Sequence, residues 1–201
     1  MVVACNTASA TALDSLAEEF APLPVFGVVE PGAQAACDAA DASGVTVLAT
    51  ESTIAGGAYQ RALLQRQGQL RVLGRPCPLW VTLAEQGNKA SRLSKAILSD
   101  GLRGLVKMSG QPNMPSTLLL GCTHFPIFSQ QLQELLGDDV RVIDSAQTTA
   151  AAVARKLGDQ GLISSLGGKT GFLATDGVPR FQRVGAIFLG EPLVEVELVD
   201  I

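Results

Sequence analysis

VVACNTASA (residues 2–10) and LLLGCTHFPI (residues 118–127) follow one pattern: an apolar strand, a small residue, a cysteine, then small hydroxyl residues that open a helix. The fold class follows from the kind of strand that precedes such a turn. Leu118, Leu119 and Leu120 form a continuous apolar run, and comparable runs recur at 24–29, 45–49, 79–83, 117–120 and 140–143. Continuous Val/Ile/Leu runs suit strands buried on both faces of a parallel sheet, whereas a half-exposed strand would alternate. Helical patterns lie between them. After Cys5, the residues Leu13, Leu16, Ala17 and Phe20 stand at i, i+3, i+4 and i+7, which predicts a helix with one apolar face. After Cys122, the residues Phe128, Leu132, Leu135 and Leu136 predict a second. Strand, loop and helix therefore alternate, which predicts an α/β fold with right-handed crossovers and ligands bound at the carboxyl ends of parallel strands. Residues 104–116, with Gly, Pro and Ser around few apolar side chains, read as a surface loop before the strand at Thr117.

Composition removes several classes of function. A chain of 201 residues with 47% hydrophobic content can bury a proper core without staples. The net charge is -4 with the basic residues scattered, and one Trp, one Tyr and seven Phe supply no base-stacking platform, so nucleic acid is excluded as a substrate class. No apolar run reaches the roughly 18 residues that cross a bilayer, and the start MVVACNT lacks the basic head of a signal peptide, which predicts a cytoplasmic protein with no membrane partner. Cysteines at 5, 37, 77 and 122 have neither the close spacing of a zinc site nor the density of a disulfide scaffold, so a reducing compartment is the default.

Cys5 and Cys122 are the two cysteines whose context carries chemistry. A thiol between a strand's carboxyl end and a helix N-terminus faces free backbone N–H groups and the positive end of the helix dipole, which favours thiolate. Thr7 and Ser9 are placed to cap the first helix, and Thr123 the second, with Pro126 in its first turn; the same hydroxyls suit a carboxylate ligand. Cys37, in AQAACDAA, and Cys77, between two prolines, have no base or helix start beside them and read as small core hydrophobes. His124 is the only histidine and stands two residues from Cys122, where an imidazole can tune the thiol or deliver protons. Cys122 and His124 would need a further ligand from distant chain to hold a metal, so no metal site is expected.

These motifs resemble the glutamate racemase branch of the aspartate/glutamate racemase superfamily. Beside ACNTAS and GCTHFP, the resemblance takes in PVFGVVEPG (24–32), LATESTI (48–54), CPLWVTLAEQG (77–87), VIDSA (142–146) and the ending FLATDGVPRF to FLGEPLVEVELVDI, so it covers essentially the whole chain. It implies two pseudo-symmetric α/β domains with mainly parallel sheets flanked by helices, facing each other across a cleft: residues 1–23 with 147–201, and residues 24–146. It implies a catalytic pair of Cys5 and Cys122, assisted by Glu85 and His124, with Asn6, Thr7, Thr50, Thr53 and Thr123 binding the carboxylates and amine of the amino acid. Solvated charge for Glu85, and ordinary helix caps for Thr50 and Thr53, are the plainer readings of the residues themselves.

The activity implied is cofactor-independent interconversion of L- and D-glutamate, one thiolate removing the α-proton and one thiol returning a proton to the other face, with D-glutamate feeding peptidoglycan synthesis in a bacterium. No lysine motif for pyridoxal phosphate is recognisable, so the site's own amides and hydroxyls would stabilise the carbanionic transition state. The substrate is a small molecule; a homodimer is compatible with the resemblance, although the residues do not select an oligomeric state. One departure stands out. Members of this branch begin with a strand leading to an Asp-Ser-Gly segment and later supply a Tyr-Gly pair, and neither is in this sequence; Val2, Val3 and Ala4 are also few for a buried strand, usually five or six residues long. The expectation is a first domain incomplete at its N-terminus and a chain whose own turnover is impaired. An aspartate or hydantoin racemase of the same superfamily is the rival enzyme, and a non-catalytic glutamate-binding or partner-binding remnant the rival outside enzymes. A thiol redox protein fits poorly, because the two cysteines belong to helix starts far apart in the chain.

Overall fold

The computed structural model describes residues 1–87, 91–103, 115–164 and 167–200. Its centre is a four-stranded, fully parallel sheet of β3 (Val45–Ala49), β4 (Val72–Pro76), β5 (Thr117–Gly121) and β6 (Arg141–Asp144), in the order β4-β3-β5-β6. Side chains of successive strand residues point to opposite faces. Val45, Val47, Ala49 and Leu119 enter one core with Ala33, Ala36, Tyr59 and Leu63, carried by α2 (Val29–Ala39) and α4 (Ala58–Arg66). Leu48, Leu118 and Leu120 enter the other with Trp80, Leu98, Phe125 and Leu132, carried by α5 (Pro78–Glu85), α6 (Arg92–Leu102), the 3₁₀ turn Phe125–Phe128 and α7 (Ser129–Leu136). Every residue of β3 and β5 is buried, which is why both strands are continuous apolar runs.

The remaining elements flank this sheet. Strand β1 (Val2–Val3) leads into α1 (Asn6–Glu19) and pairs in parallel with β2 (Phe26–Gly27). Two short helices follow β3: α3 (Glu51–Gly56) and α4, joined by Gly57, whose φ of 65° lies in the left-handed region that glycine adopts without steric cost. Helix α8 (Ser145–Asp159) starts where β6 ends, capped by the Asp144 carboxylate, which accepts from Ala146 N at 2.7 Å and Gln147 N at 3.4 Å. A last parallel pair, β7 (Leu173–Ala174) with β8 (Glu197–Leu198), brackets α9 (Val178–Leu189), a helix without a fully buried side chain. Among the described residues no helix is long and apolar enough to cross a membrane.

The expected α/β class with parallel strands is what the chain adopts, and the runs at 45–49, 117–120 and 140–143 are strands to within a residue. Three local expectations are corrected. The apolar run 79–83 is helix: Pro78 occupies the first turn, where its missing N–H costs nothing, and Trp80, Leu83 and Ala84 share the buried face at i, i+3 and i+4 while Leu79 is 64% exposed. The strand of this region is instead β4, VLGRP, at the sheet edge, where a strand tolerates the Gly and Pro that hid it. In the run 24–29 only Phe26 and Gly27 are strand, because Val29 already begins α2. On α1, Leu13 and Leu16 are half-buried, and Ala17 and Phe20 are exposed, so its apolar stripe is largely open to solvent. The loop expected at 104–116 lies, through residue 114, outside the described residues.

Leu48 and Leu79 separate the two readings of the apolar runs. Leu48→Ala, in the sheet core, should destabilise the protein by about 2–5 kcal/mol, and Leu79→Ala by no more than about 0.5 kcal/mol. Urea denaturation of the two variants checks this; a large loss for Leu79→Ala would mean that the 79–83 segment packs as a strand after all.

Candidate active site

The chain order of the sheet creates the site. From β3 the chain crosses to β4 on one side, and later places β5 on β3's other side, so the crevice beyond the carboxyl ends of β3 and β5 is a topological switch point. The paired residues Ala49 and Gly121 end the two strands side by side. Thr50 and Cys122 are therefore neighbours at the mouth of the sheet. Thr50 is the N-cap of α3 and accepts from Thr53 N at 3.3 Å, so the plain capping reading of Thr50 holds.

Helix α1 closes over the same crevice with its N-terminus. Thr7 Oγ1 lies 3.0 Å from both Thr50 Oγ1 and Thr53 Oγ1, and those two hydroxyls are 2.9 Å apart. Three hydroxyls with three protons close a ring in which each donates once; redirecting those protons offers donors to an arriving carboxylate. Cys5 is the N-cap of α1 and is exposed, and no side chain caps that helix, so the N–H groups of its first turn remain available to an anion. The expected capping by Thr7 and Ser9 is thus corrected. Thr7 joins the threonine ring, and Ser9 turns back to donate to Val3 O at 2.7 Å while accepting from Val28 N at 3.3 Å. Thr123 caps nothing either: its chain continues through His124 into the 3₁₀ turn, and it stays half-buried beside Cys122 with Pro126 in that turn, as expected. Asn6, buried behind Cys5, donates to Tyr59 Oη at 2.6 Å and Ser145 Oγ at 3.3 Å.

On the opposite side, Cys122 Sγ lies 3.8 Å from His124 Nδ1, and His124 Nε2 lies 3.2 Å from Glu85 Oε1. A carboxylate on Nε2 favours the tautomer protonated there, which leaves the Nδ1 lone pair facing the thiol. Glu85 is more than a solvated charge. Its other oxygen accepts from Arg180 Nη2, its backbone oxygen accepts from Arg183 Nη1 at 2.9 Å, and Arg180, then the His124 bond, hold its carboxyl below the ordinary 4.5 against the opposing effect of burial. The Phe188 ring stands edge-on to His124 with centroids 5.5 Å apart. A pocket of ≈ 450 Å³ opens here between Glu85, Thr123, His124 and the α9 side chains Arg180, Phe181 and Phe188.

The dipole argument for Cys122 is overruled by its surroundings. Burial pushes its thiol above the ordinary 9.0, a hydrogen bond from the backbone N–H of His124 opposes that, and Cys5 is close enough for its charge to raise Cys122 further. Two negative thiolates disfavour one another, so ionisation of both sulfurs at once is unfavourable. Cys37 and Cys77 are buried as expected; Cys77, raised to about 12 chiefly by burial, nevertheless caps α5 after β4, a third strand-cysteine-helix turn with no hydroxyl or histidine partner for its sulfur. Neither a strand-cysteine-helix turn nor nearness to Cys122 singles out a cysteine, since Cys77 has both; Cys5 differs in being exposed and in leading into the threonine ring. Tyr59, Ser145, Arg180, Arg183 and Phe188 were not found from the sequence. Tyr59 carries no motif of its own, and Arg180 meets Glu85 across 95 positions with no motif to announce it. Among the described residues no group of three or more His, Cys, Asp or Glu has the arrangement of a metal site.

The fold is shared with known enzymes. The Asp/Glu/Hydantoin racemase family model matches residues 1–153, and the chain belongs to that family. Its relatives include glutamate racemases: that of Geobacter metallireducens is 38% identical over 206 residues, covering 100% of this chain and 73% of that protein. The crystal structure of glutamate racemase isoform RacE1 from Bacillus anthracis superposes with a TM-score of 0.87 at 33% identity, over 100% of this chain and 73% of that one. The Francisella tularensis enzyme, solved in complex with D-glutamate, gives 0.86 at 27% identity over 99% and 72%.

The Arg180–Glu85 pair has a definite pH signature. Because the folded-state value of Glu85 is depressed, the stability this pair contributes is present above about pH 4.5, and is lost as pH falls through the lower folded-state value. Arg180 is 68% exposed, so salt should weaken the effect. Arg180→Ala should therefore lower the melting temperature slightly at neutral pH and not at all at strongly acid pH; a gap that persists unchanged in acid would show that Arg180 acts by packing.

Proposed function

We propose that this chain interconverts L- and D-glutamate without a cofactor, with Cys5 and Cys122 as the two proton-handling groups. The observation that carries the reading is the convergence of two cysteine turns on one crevice, near enough for their charges to interact, with hydroxyl and amide donors between them. In one direction a thiolate takes the α-proton of glutamate, leaving a carbanion, and the opposed thiol gives its proton to the other face. The substrate is inverted, and the two sulfurs have exchanged protonation states; solvent exchange resets them. Thr7, Thr50, Thr53 and Thr123, with Asn6 and the first-turn amides of α1, hold the carboxylates and the ammonium, and their fixed dipoles stabilise the charge that develops at the α-carbon. The two-lobe division into residues 1–23 with 147–201 and residues 24–146 belongs to the same proposal, with substrate held between lobes and water excluded.

His124 has work to do because Cys122 is hard to ionise. Burial holds that thiol protonated near neutral pH, so the direction in which Cys122 is the base needs Nδ1 to take the thiol proton, with Glu85 steadying the imidazolium. Product D-glutamate would serve peptidoglycan synthesis in the cytoplasm. A homodimer is part of the proposal too, supported by large apolar side chains left exposed on the surface, such as Leu189 and Val194.

Circular dichroism of L-glutamate, D-glutamate and L-aspartate incubated with the protein tests the activity. Either Cys5→Ala or Cys122→Ala should abolish racemisation with the fold intact, and in deuterated water deuterium should enter product before recovered substrate, since removal and return use different groups. Turnover that survives loss of either thiol sinks the two-thiol assignment, and racemisation of aspartate alone moves the chain to another branch. His124→Ala should lower kcat by on the order of 10²-fold in one direction and by much less in the reverse; equal losses in both directions would contradict the asymmetric role given to it.

A further inference from the structure

Tyr59 touches both cysteine turns. It is fully buried, on α4, a helix that carries none of the residues assigned to substrate or proton transfer. At one end, its hydroxyl receives Asn6 Nδ2 at 2.6 Å, and Asn6 is the residue that follows Cys5. Along its length, its ring lies against Gly121, the residue before Cys122: a Cβ at Gly121 would stand 2.8 Å from Tyr59 Cε2. On the opposite edge, a Cβ at Gly32 of α2 would come within 3.4 Å of both Cε1 and the hydroxyl oxygen. The ring is thus gripped between helix α2 and the end of β5, with no room to slide.

We infer that Tyr59 is a positioning residue that sets the separation of the two thiols, its hydroxyl anchoring the Cys5 turn through Asn6 while its ring supports the Gly121–Cys122 turn. The inference rests on the two-thiol reading given above. Asn6 needs such an anchor. Its Nδ2 is shared between Tyr59 and Ser145 Oγ, whereas its Oδ1 is buried without a hydrogen-bond partner among the described residues. An unpaired buried oxygen is unfavourable, so the amide stays in place because its nitrogen is held from below. Backbone hydrogen bonds between the two turns cannot do this work, because β1 pairs with β2 and not with the central sheet. Burial keeps the Tyr59 hydroxyl protonated well above the usual phenol range, so the strut keeps the same charge throughout catalysis. Proton transfer depends steeply on donor–acceptor geometry, and a misplacement of about 1 Å can cost 10²-fold in rate.

The test separates anchor from ring. In Tyr59→Phe the ring stays against Gly121, and what is lost is the hydroxyl with its bonds to Asn6 and Ser145. Two measurements are made on wild type, Tyr59→Phe and Ser145→Ala: kcat and KM with glutamate in both directions, and the pH dependence of iodoacetamide alkylation at Cys5 and Cys122, resolved by peptide mass spectrometry. For Tyr59→Phe we expect a folded protein whose kcat falls roughly 10- to 100-fold with a smaller change in KM, and whose Cys5 alkylation profile shifts while that of Cys122 keeps its wild-type form. Ser145→Ala, which removes the longer bond to Asn6 and the Ser145 bond to the Tyr59 hydroxyl but leaves Asn6 on Tyr59, should move Cys5 in the same sense and by less, and it reads the anchor even if Tyr59→Phe does not fold. Wild-type kcat and an unchanged Cys5 profile in folded Tyr59→Phe, or in Ser145→Ala where Tyr59→Phe does not fold, overturn the inference. Should wild-type protein fail to racemise glutamate, the functional reading falls, and the alkylation profiles still decide whether Tyr59 governs the Cys5 turn.

Discussion

The side-by-side ending of β3 and β5, with Ala49 opposite Gly121, is the constraint on which the molecule's chemistry depends. Parallel pairing forces both strands to deliver their next residues to the same edge of the sheet, so Thr50 and Cys122 emerge together. Because the chain leaves β3 toward β4 and returns to the other flank as β5, the crevice between them is a topological switch point. The two buried cores, one on each face, hold that pairing rigid. Burial of Val45, Val47 and Ala49 on one side and Leu48, Leu118 and Leu120 on the other leaves these strands no alternative register, since a slip by one residue would exchange the two faces of each strand.

Onto this fixed edge the rest of the site is docked by side chains rather than by the sheet. The first turn of α1 is attached through Thr7 to Thr50 and Thr53 and through Asn6 to Tyr59 and Ser145. Helix α9 is attached through Arg180 and Arg183 to Glu85, and through Phe188 to His124. Both attachments are polar or edge contacts of modest strength, and neither helix is deeply buried. A rigid sheet edge carrying Cys122, facing elements held by a few directional bonds, suits a site that must admit a charged amino acid and then exclude water around it.

The electrostatics of the pair follow from the same asymmetry. Cys5 is exposed at the N-terminus of α1, whereas Cys122 is buried at the end of a core strand and its thiol is pushed up. The two sulfurs therefore sit in unlike environments, and the buried one has an imidazole beside it. Under the proposed two-thiol chemistry, that difference explains why one histidine suffices.

The sequence by itself determined the fold class, because continuous apolar runs alternating with helical patterns suit strands covered on both faces of a parallel sheet, and it marked Cys5, Cys122 and His124, because a strand-cysteine turn followed directly by hydroxyl residues is visible locally at both cysteines. It misread 79–83, where an apolar run without clear alternation serves a helix as well as a strand, and it passed over β4, whose edge position tolerates residues that core strands reject. Only the tertiary structure decided which hydroxyls meet, that Thr7 joins Thr50 and Thr53 instead of capping its own helix, that burial outweighs the helix dipole at Cys122, and that Tyr59 and Arg180 belong to the site at all. Those facts depend on contacts between residues dozens of positions apart, and the distance between two side chains across a crevice is a property of packing that no local pattern encodes.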